Sequence, residues 1–175
     1  MTNSASDTAA KSAATDRTWT IDDLPERLRK ALEVAVDKNG RAPVVLRVTD
    51  LAGYTDWVMI VSGRSDRHVS GIAEAVSTAI KATGTPPLST DGFDKHVWDL
   101  LDCDDFIVHV FYHPVRMHFD LESMWSDAPR VELSLPSEVM DTADLDRLQV
   151  PDSLPAFRGG ATFGGFDDEF EDDGD

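Results

Sequence analysis

Apolar residues recur along this chain at two spacings, one helical and one extended, and their alternation lays out the elements. Leu24, Leu28, Ala31, Leu32 and Ala35 fall at helical intervals, and Asp23 and Glu26 flank Pro25 at a capping-box-like spacing. They predict a first helix over about 23–38. Asn39-Gly40 ends it by offering a left-handed backbone position. Val44, Leu46 and Val48 then alternate with Val45, Arg47 and Thr49, the pattern of a half-exposed strand. After a turn at Ala52-Gly53-Tyr54-Thr55, the run Trp57-Val58-Met59-Ile60-Val61 is short and wholly apolar, as in a strand buried on both faces. Ser62-Gly63-Arg64-Ser65-Asp66 opens a second helix with Val69, Ile72, Ala73, Val76 and Ile80 on one face, stopped by Gly84 and Pro86-Pro87.

A return strand near Leu88 would complete a right-handed crossover, and segments 96–101 and 106–112 follow as strands joined by a short turn. Pro114 starts a last core helix with Met117, Leu121 and Met124 on one stripe and Trp125 beside it, closed by Asp127-Ala128-Pro129. The expected fold class is α/β (α+β), a mixed, roughly five-stranded sheet flanked by helices. The expected organisation is a disordered arm over 1–19, one domain over 20–136, and an acidic, Gly-rich disordered tail over 137–175.

The tail carries most of the charge. The formal net charge is −17, and 137–175 alone holds 12 acidic residues against 2 basic ones. Such a field disfavours direct nucleic-acid binding and favours a positively charged partner. Cys103 is the sole cysteine, which excludes an intramolecular disulfide and fits a reducing cytosol. Neither a signal-peptide core nor a membrane span is visible, so a cytoplasmic protein is expected.

Candidate chemistry is sparse. Ser62-Gly63-Arg64-Ser65 lies between a strand and a helix N-terminus, where backbone amides can receive phosphate, but it matches no phosphate-loop pattern, and Ser65 or Asp66 reads as an ordinary cap. Asp102 and Asp104, with Asp105 beside them, have the D-x-D spacing of metal-binding carboxylates, against the plain reading of a tight turn rich in Asp. His109, His113 and His118 are not spaced to converge on a metal, because Pro114 interrupts a common helix. Like charge from Asp102 and Asp104 should disfavour a Cys103 thiolate. Trp98 has polar neighbours in both registers, so it reads as well as an interface anchor on a partly exposed strand as it does as a core residue. The anchor is the expectation carried forward, with Asp102 nearby to meet a basic residue.

Several segments together resemble the ribosomal silencing factor (RsfS, iojap-like) family in order and spacing. These are Thr55-Asp56-Trp57-Val58-Met59-Ile60, then Ser62-Gly63-Arg64-Ser65-Asp66-Arg67-His68-Val69, Gly92, and Trp98 with Asp102. Asp105-Phe106-Ile107-Val108-His109-Val110-Phe111 looks like the family's D-[apolar]-[apolar]-V-H strand, and Arg116, Phe119-Asp120-Leu121-Glu122 and Trp125 look like its closing helix. The resemblance spans about 23–133. Asp104 stands where the family usually has Gly, and Asp91 where it usually has Glu.

The resemblance implies a nucleotidyltransferase-like fold without the catalytic set, no cofactor or metal, and homodimerisation in some members. It also implies binding to the large ribosomal subunit through its ribosomal protein number fourteen. Joining of the small subunit would then be blocked sterically, repressing translation under nutrient limitation. The expected partner-binding residues are Trp98, Asp102, Asp105 and His109. The alternative is a nucleotidyltransferase-like enzyme using Asp102 and Asp104.

Overall fold

The computed structural model describes residues 17–157. A five-stranded mixed sheet forms its centre. Its strands are β2 (Arg41–Arg47), β3 (Trp57–Gly63), β4 (Ser89–Asp91), β5 (Trp98–Asp102) and β6 (Phe106–Tyr112), in the spatial order β2-β3-β6-β5-β4. β3 and β6 run parallel, with Ile60 opposite His109, and the other neighbours are antiparallel. All seven residues of β3 are buried, as its apolar run predicts. The strand near Leu88 differs from expectation. It is an exposed edge paired with β5, and the parallel partner of β3 is β6, reached only after β4 and β5.

Alternation along the strands splits the core into two layers. One face carries Val45, Met59, Val61, Leu101, Val108 and Val110 and is covered by α1 (Glu26–Asp37) and α3 (Asp66–Ala82). Their buried residues, Leu28, Ala31, Leu32 and Ala35 on α1 and Val69, Ile72, Ala73, Val76 and Ile80 on α3, are the predicted stripes. The opposite face carries Val44, Leu46, Val58, Ile60, Trp98 and Phe111, beneath Val115, Leu121 and Ala128. A short helix, α2 (Thr49–Ala52), links β2 to β3.

The predicted last helix is broken in two, α4 (His113–Phe119) and α5 (Leu121–Met124), because Asp120 takes a left-handed conformation with φ 46° and ψ 54°. The break turns Glu122 back onto the buried Arg116, whose guanidinium also donates to the Ala42 carbonyl and to Ser62 Oγ. It also removes Met117 and Met124 from the expected buried stripe, leaving both exposed.

Packed residues lie on both sides of the expected domain, 20–136. Residues 1–16 lie outside the described residues, but Trp19 in β1 (Trp19–Thr20) pairs with Val131 in β7 (Val131–Glu132). The Trp19 ring packs edge-on against Trp57 at 5.8 Å, with the Arg17 and Arg47 guanidinium groups 3.9 and 4.2 Å from its centroid. At the other end, ordered packing continues past 136. α6 (Ser137–Met140) lies against β2, and Leu145 is buried to 2% exposure, a burial that contributes about 1.5–3 kcal/mol for a Leu side chain. The rest of the expected tail, 158–175, lies outside the described residues.

Candidate partner-binding surface

Strands β5 and β6 meet across the acidic turn 102–105. Trp98, Leu100 and Asp102 point to one face of β5, alongside Ile107, His109 and Phe111 of β6 by the antiparallel register. Trp98 does not project into solvent. It is fully buried, stacked on Phe111 with ring centroids 4.6 Å apart, with Phe119 at 5.1 Å and His109 at 5.9 Å. Its indole Nε1–H donates to His109 Nδ1 at 3.0 Å, so a neutral His109 carries its proton on Nε2. Burial pushes the His109 imidazole down to about 3, which keeps it neutral in ordinary buffers.

Among the polar neighbours that suggested exposure for Trp98, one is held inside and paired with a half-buried one. Asp99 is fully buried on the other side of β5, and its carboxylate meets His96 Nδ1 at 2.6 Å.

Asp102 is half-buried, and its carboxylate accepts from the Asp104 N–H at 2.9 Å, an Asx-turn. Asp104 has a φ of 74°, a backbone state in which glycine is at ease and a Cβ is strained, so the Gly expected at this position has a structural basis. Tyr54 was not singled out in the sequence. Burial first, and the Asp102 carboxylate second, raise its hydroxyl above the ordinary phenol value.

Asp105 is drawn away from this group. Arg27 of α1 reaches its carboxylate at 3.4 Å and also faces the Cys103 carbonyl. Burial nevertheless holds the Asp105 carboxyl above the usual range, outweighing the backbone hydrogen bond and Arg27, with Asp104 and Asp56 adding like charge. Cys103 points into the helix-covered core. Its thiol is pushed up to about 12, mainly by burial and only secondarily by Asp102 and Asp105, so desolvation rather than the expected like charge makes it inert.

Of the four residues expected to meet a partner, then, Trp98 and His109 are joined in one buried pair. Asp102 lies on the same face four residues along the strand. Asp105 belongs to the opposite side.

The remaining motifs resolve into scaffolding. Ser65 caps α3 by accepting from the His68 N–H at 3.0 Å, as its place in the sequence predicts. Gly63 is required by close approach, since a Cβ there would meet the Val69 side chain at 2.9 Å. His113 faces Ser62 Oγ through Nδ1 at 2.9 Å and the Asp146 carboxylate through Nε2 at 2.8 Å. That order resembles an acyl-transfer relay, but Ser62 is fully buried and its oxygen also receives Arg116. The group ties the C-terminal segment to the sheet, a link across 33 residues that no local pattern signals. Among the described residues, no group of three or more His, Cys, Asp or Glu side chains is arranged to hold a metal ion, and no helix is long and apolar enough to cross a membrane.

Comparison with known proteins gives a consistent result. Residues 21–152 match the family model described as ribosomal silencing factor during starvation. The chain is 32% identical over 108 residues to the ribosomal silencing factor RsfS of Halalkalibacterium halodurans, covering 62% of this chain and 92% of that protein. A crystal structure from Chromobacterium violaceum superposes with a TM-score of 0.57 at 26% identity, covering 69% of this chain and 95% of the other. One from Bacillus halodurans does so with a TM-score of 0.56 at 30% identity, covering 62% and 98%.

Proposed function

The chain belongs to the ribosomal silencing factor family, and from that membership we propose that it docks on the large ribosomal subunit through ribosomal protein number fourteen and keeps the small subunit from joining. The match over 21–152 carries this reading, because it takes in the whole sheet and both helical layers. The action needs no bond made or broken. A protein seated on the joining face excludes the other subunit by volume, and translation falls under poor nutrition.

The proposed contact face is the end of β5 and β6 near the acidic turn. Asp102 is half-buried there and meets a basic partner residue, a choice that suits a chain of net charge −17. Trp98 and His109 lie further along the same face, where Trp98 forms the floor beneath Phe119. Asp105, tied to Arg27 on the opposite side, is left out of this face.

Sedimentation in a sucrose gradient tests the reading. Isolated large subunits incubated with the protein should carry it with them, and small subunits added afterwards should yield fewer joined ribosomes. Asp102→Lys should fold normally and bind at least about tenfold more weakly, the effect of about 1.4 kcal/mol of charge repulsion. Joined ribosomes at an undiminished level under saturating protein would end the proposal.

A further inference from the structure

Residues 137–157 divide into a firmly held half and a lightly held one. In the first half Arg41 donates to the Asp141 carbonyl at 2.6 Å and to Asp144 at 2.8 Å, and Arg64 reaches Asp144 at 3.3 Å. His113 meets Asp146, and Leu145 is buried between these contacts in sequence. The second half has no regular structure, and Pro151 and Pro155 restrict its backbone and remove two N–H donors. It is brought back onto the second face of the sheet. Leu154 packs against the cluster that contains Trp98 and Phe111, and the Phe157 ring lies 6.0 Å from Trp98 and 5.8 Å from Phe119.

Phe157 is 49% exposed in that position. An aromatic ring that covers other rings while half its own surface stays wet is weakly retained, and another apolar group can replace it with little net loss. Leu154 and Phe157 also lie beyond residue 152, where the family match ends. The two solved relatives are spanned to 95% and 98% of their lengths by 69% and 62% of this chain. The shared fold is therefore complete without this contact.

We propose that Leu154–Phe157 is an intramolecular plug on the Trp98–Phe119 aromatic floor, which an apolar side chain of a basic protein partner must displace in order to dock. The inference rests on the ribosome-docking reading above. It adds a built-in brake. The apparent dissociation constant of a site open only a fraction of the time rises by the inverse of that fraction, so a plug seated about nine-tenths of the time weakens binding about tenfold. The firmly held half acts as the tether, keeping the plug close to the floor after release so that it competes again once the partner leaves.

The test uses full-length protein with Phe157→Ser, and with Leu154→Ser and Phe157→Ser combined. Binding to isolated large subunits and thermal unfolding are measured on the same samples. The combined variant should bind about three- to tenfold more tightly than wild type while melting close to it, and a synthetic peptide of residues 150–157 in excess should reverse the gain. Unchanged or weaker binding by the variants, with wild type still binding, overturns the plug and leaves the docking reading standing. A lowered melting temperature without tighter binding shows a structural latch and overturns it too. If neither wild type nor variant binds, the docking reading fails and the plug falls with it.

Discussion

Replacing Trp98 by alanine should unfold this protein at a much lower temperature rather than spare its fold. The side chain is fully buried, with Phe111, Phe119, His109 and Phe157 all within about 6 Å by ring centroid. Truncating a buried Trp to Ala costs about 3–5 kcal/mol, through lost transfer energy and the cavity left behind. The indole N–H also leaves His109 Nδ1 without its donor, and a buried acceptor left unmade falls in the range of about 1–3 kcal/mol. These contributions overlap, so about 4 kcal/mol is a fair total, and a domain of this size loses about 10–20 °C of melting temperature for it. Thermal melts followed by circular dichroism, paired with urea titrations, measure both quantities. Trp98→Phe keeps a ring on Phe111 but drops the N–H, and should cost about 1–2 kcal/mol. A shift under about 3 °C for Trp98→Ala, the size of a loss near 1 kcal/mol, would refute the placement of Trp98 in the core.

Two further outcomes follow from titration. Burial holds the folded His109 near 3, against about 6.5 in an unfolded chain, so the unfolded state binds the extra proton first as pH falls. Stability from this residue is therefore intact above about pH 6.5, drops by about 1 kcal/mol at pH 5.5 and by about 2 kcal/mol at pH 5, and stops falling below about pH 3. Urea midpoints between pH 5 and 8 should slope less steeply in His109→Gln than in wild type, and equal slopes would sink the assignment. Cys103, with its thiol pushed up to about 12, should resist a thiol reagent at pH 8 until the protein unfolds. Complete labelling of the native protein within minutes would contradict its burial.

Much of this architecture is written locally. Leu28, Ala31, Leu32 and Ala35 mark the inner face of α1, and Val69, Ile72, Ala73, Val76 and Ile80 that of α3, because a helix buries one stripe and the spacing of apolar residues records it. β3 reads as an interior strand because all its residues must avoid water. The turn at Asp104 was also visible, since a cluster of Asp marks a tight turn and Asp tolerates a positive φ, here 74°. The order of these local signals was enough to place the chain in its family.

Tertiary structure decided whatever depends on a partner distant in the chain. β6, rather than the nearer segment at Leu88, became the parallel neighbour of β3, because a central place goes to a strand that is apolar on both faces, and Ser89–Asp91 is polar and exposed. Polarity misled at Trp98: Asp99 is buried and meets the half-buried His96, so polar letters beside an aromatic did not mean water. The same cause hid the C-terminal segment, where acidic residues that suggest solvation are the partners of Arg41, Arg64 and His113. A charge in sequence shows what a side chain needs, whereas the fold determines whether water or another residue meets that need.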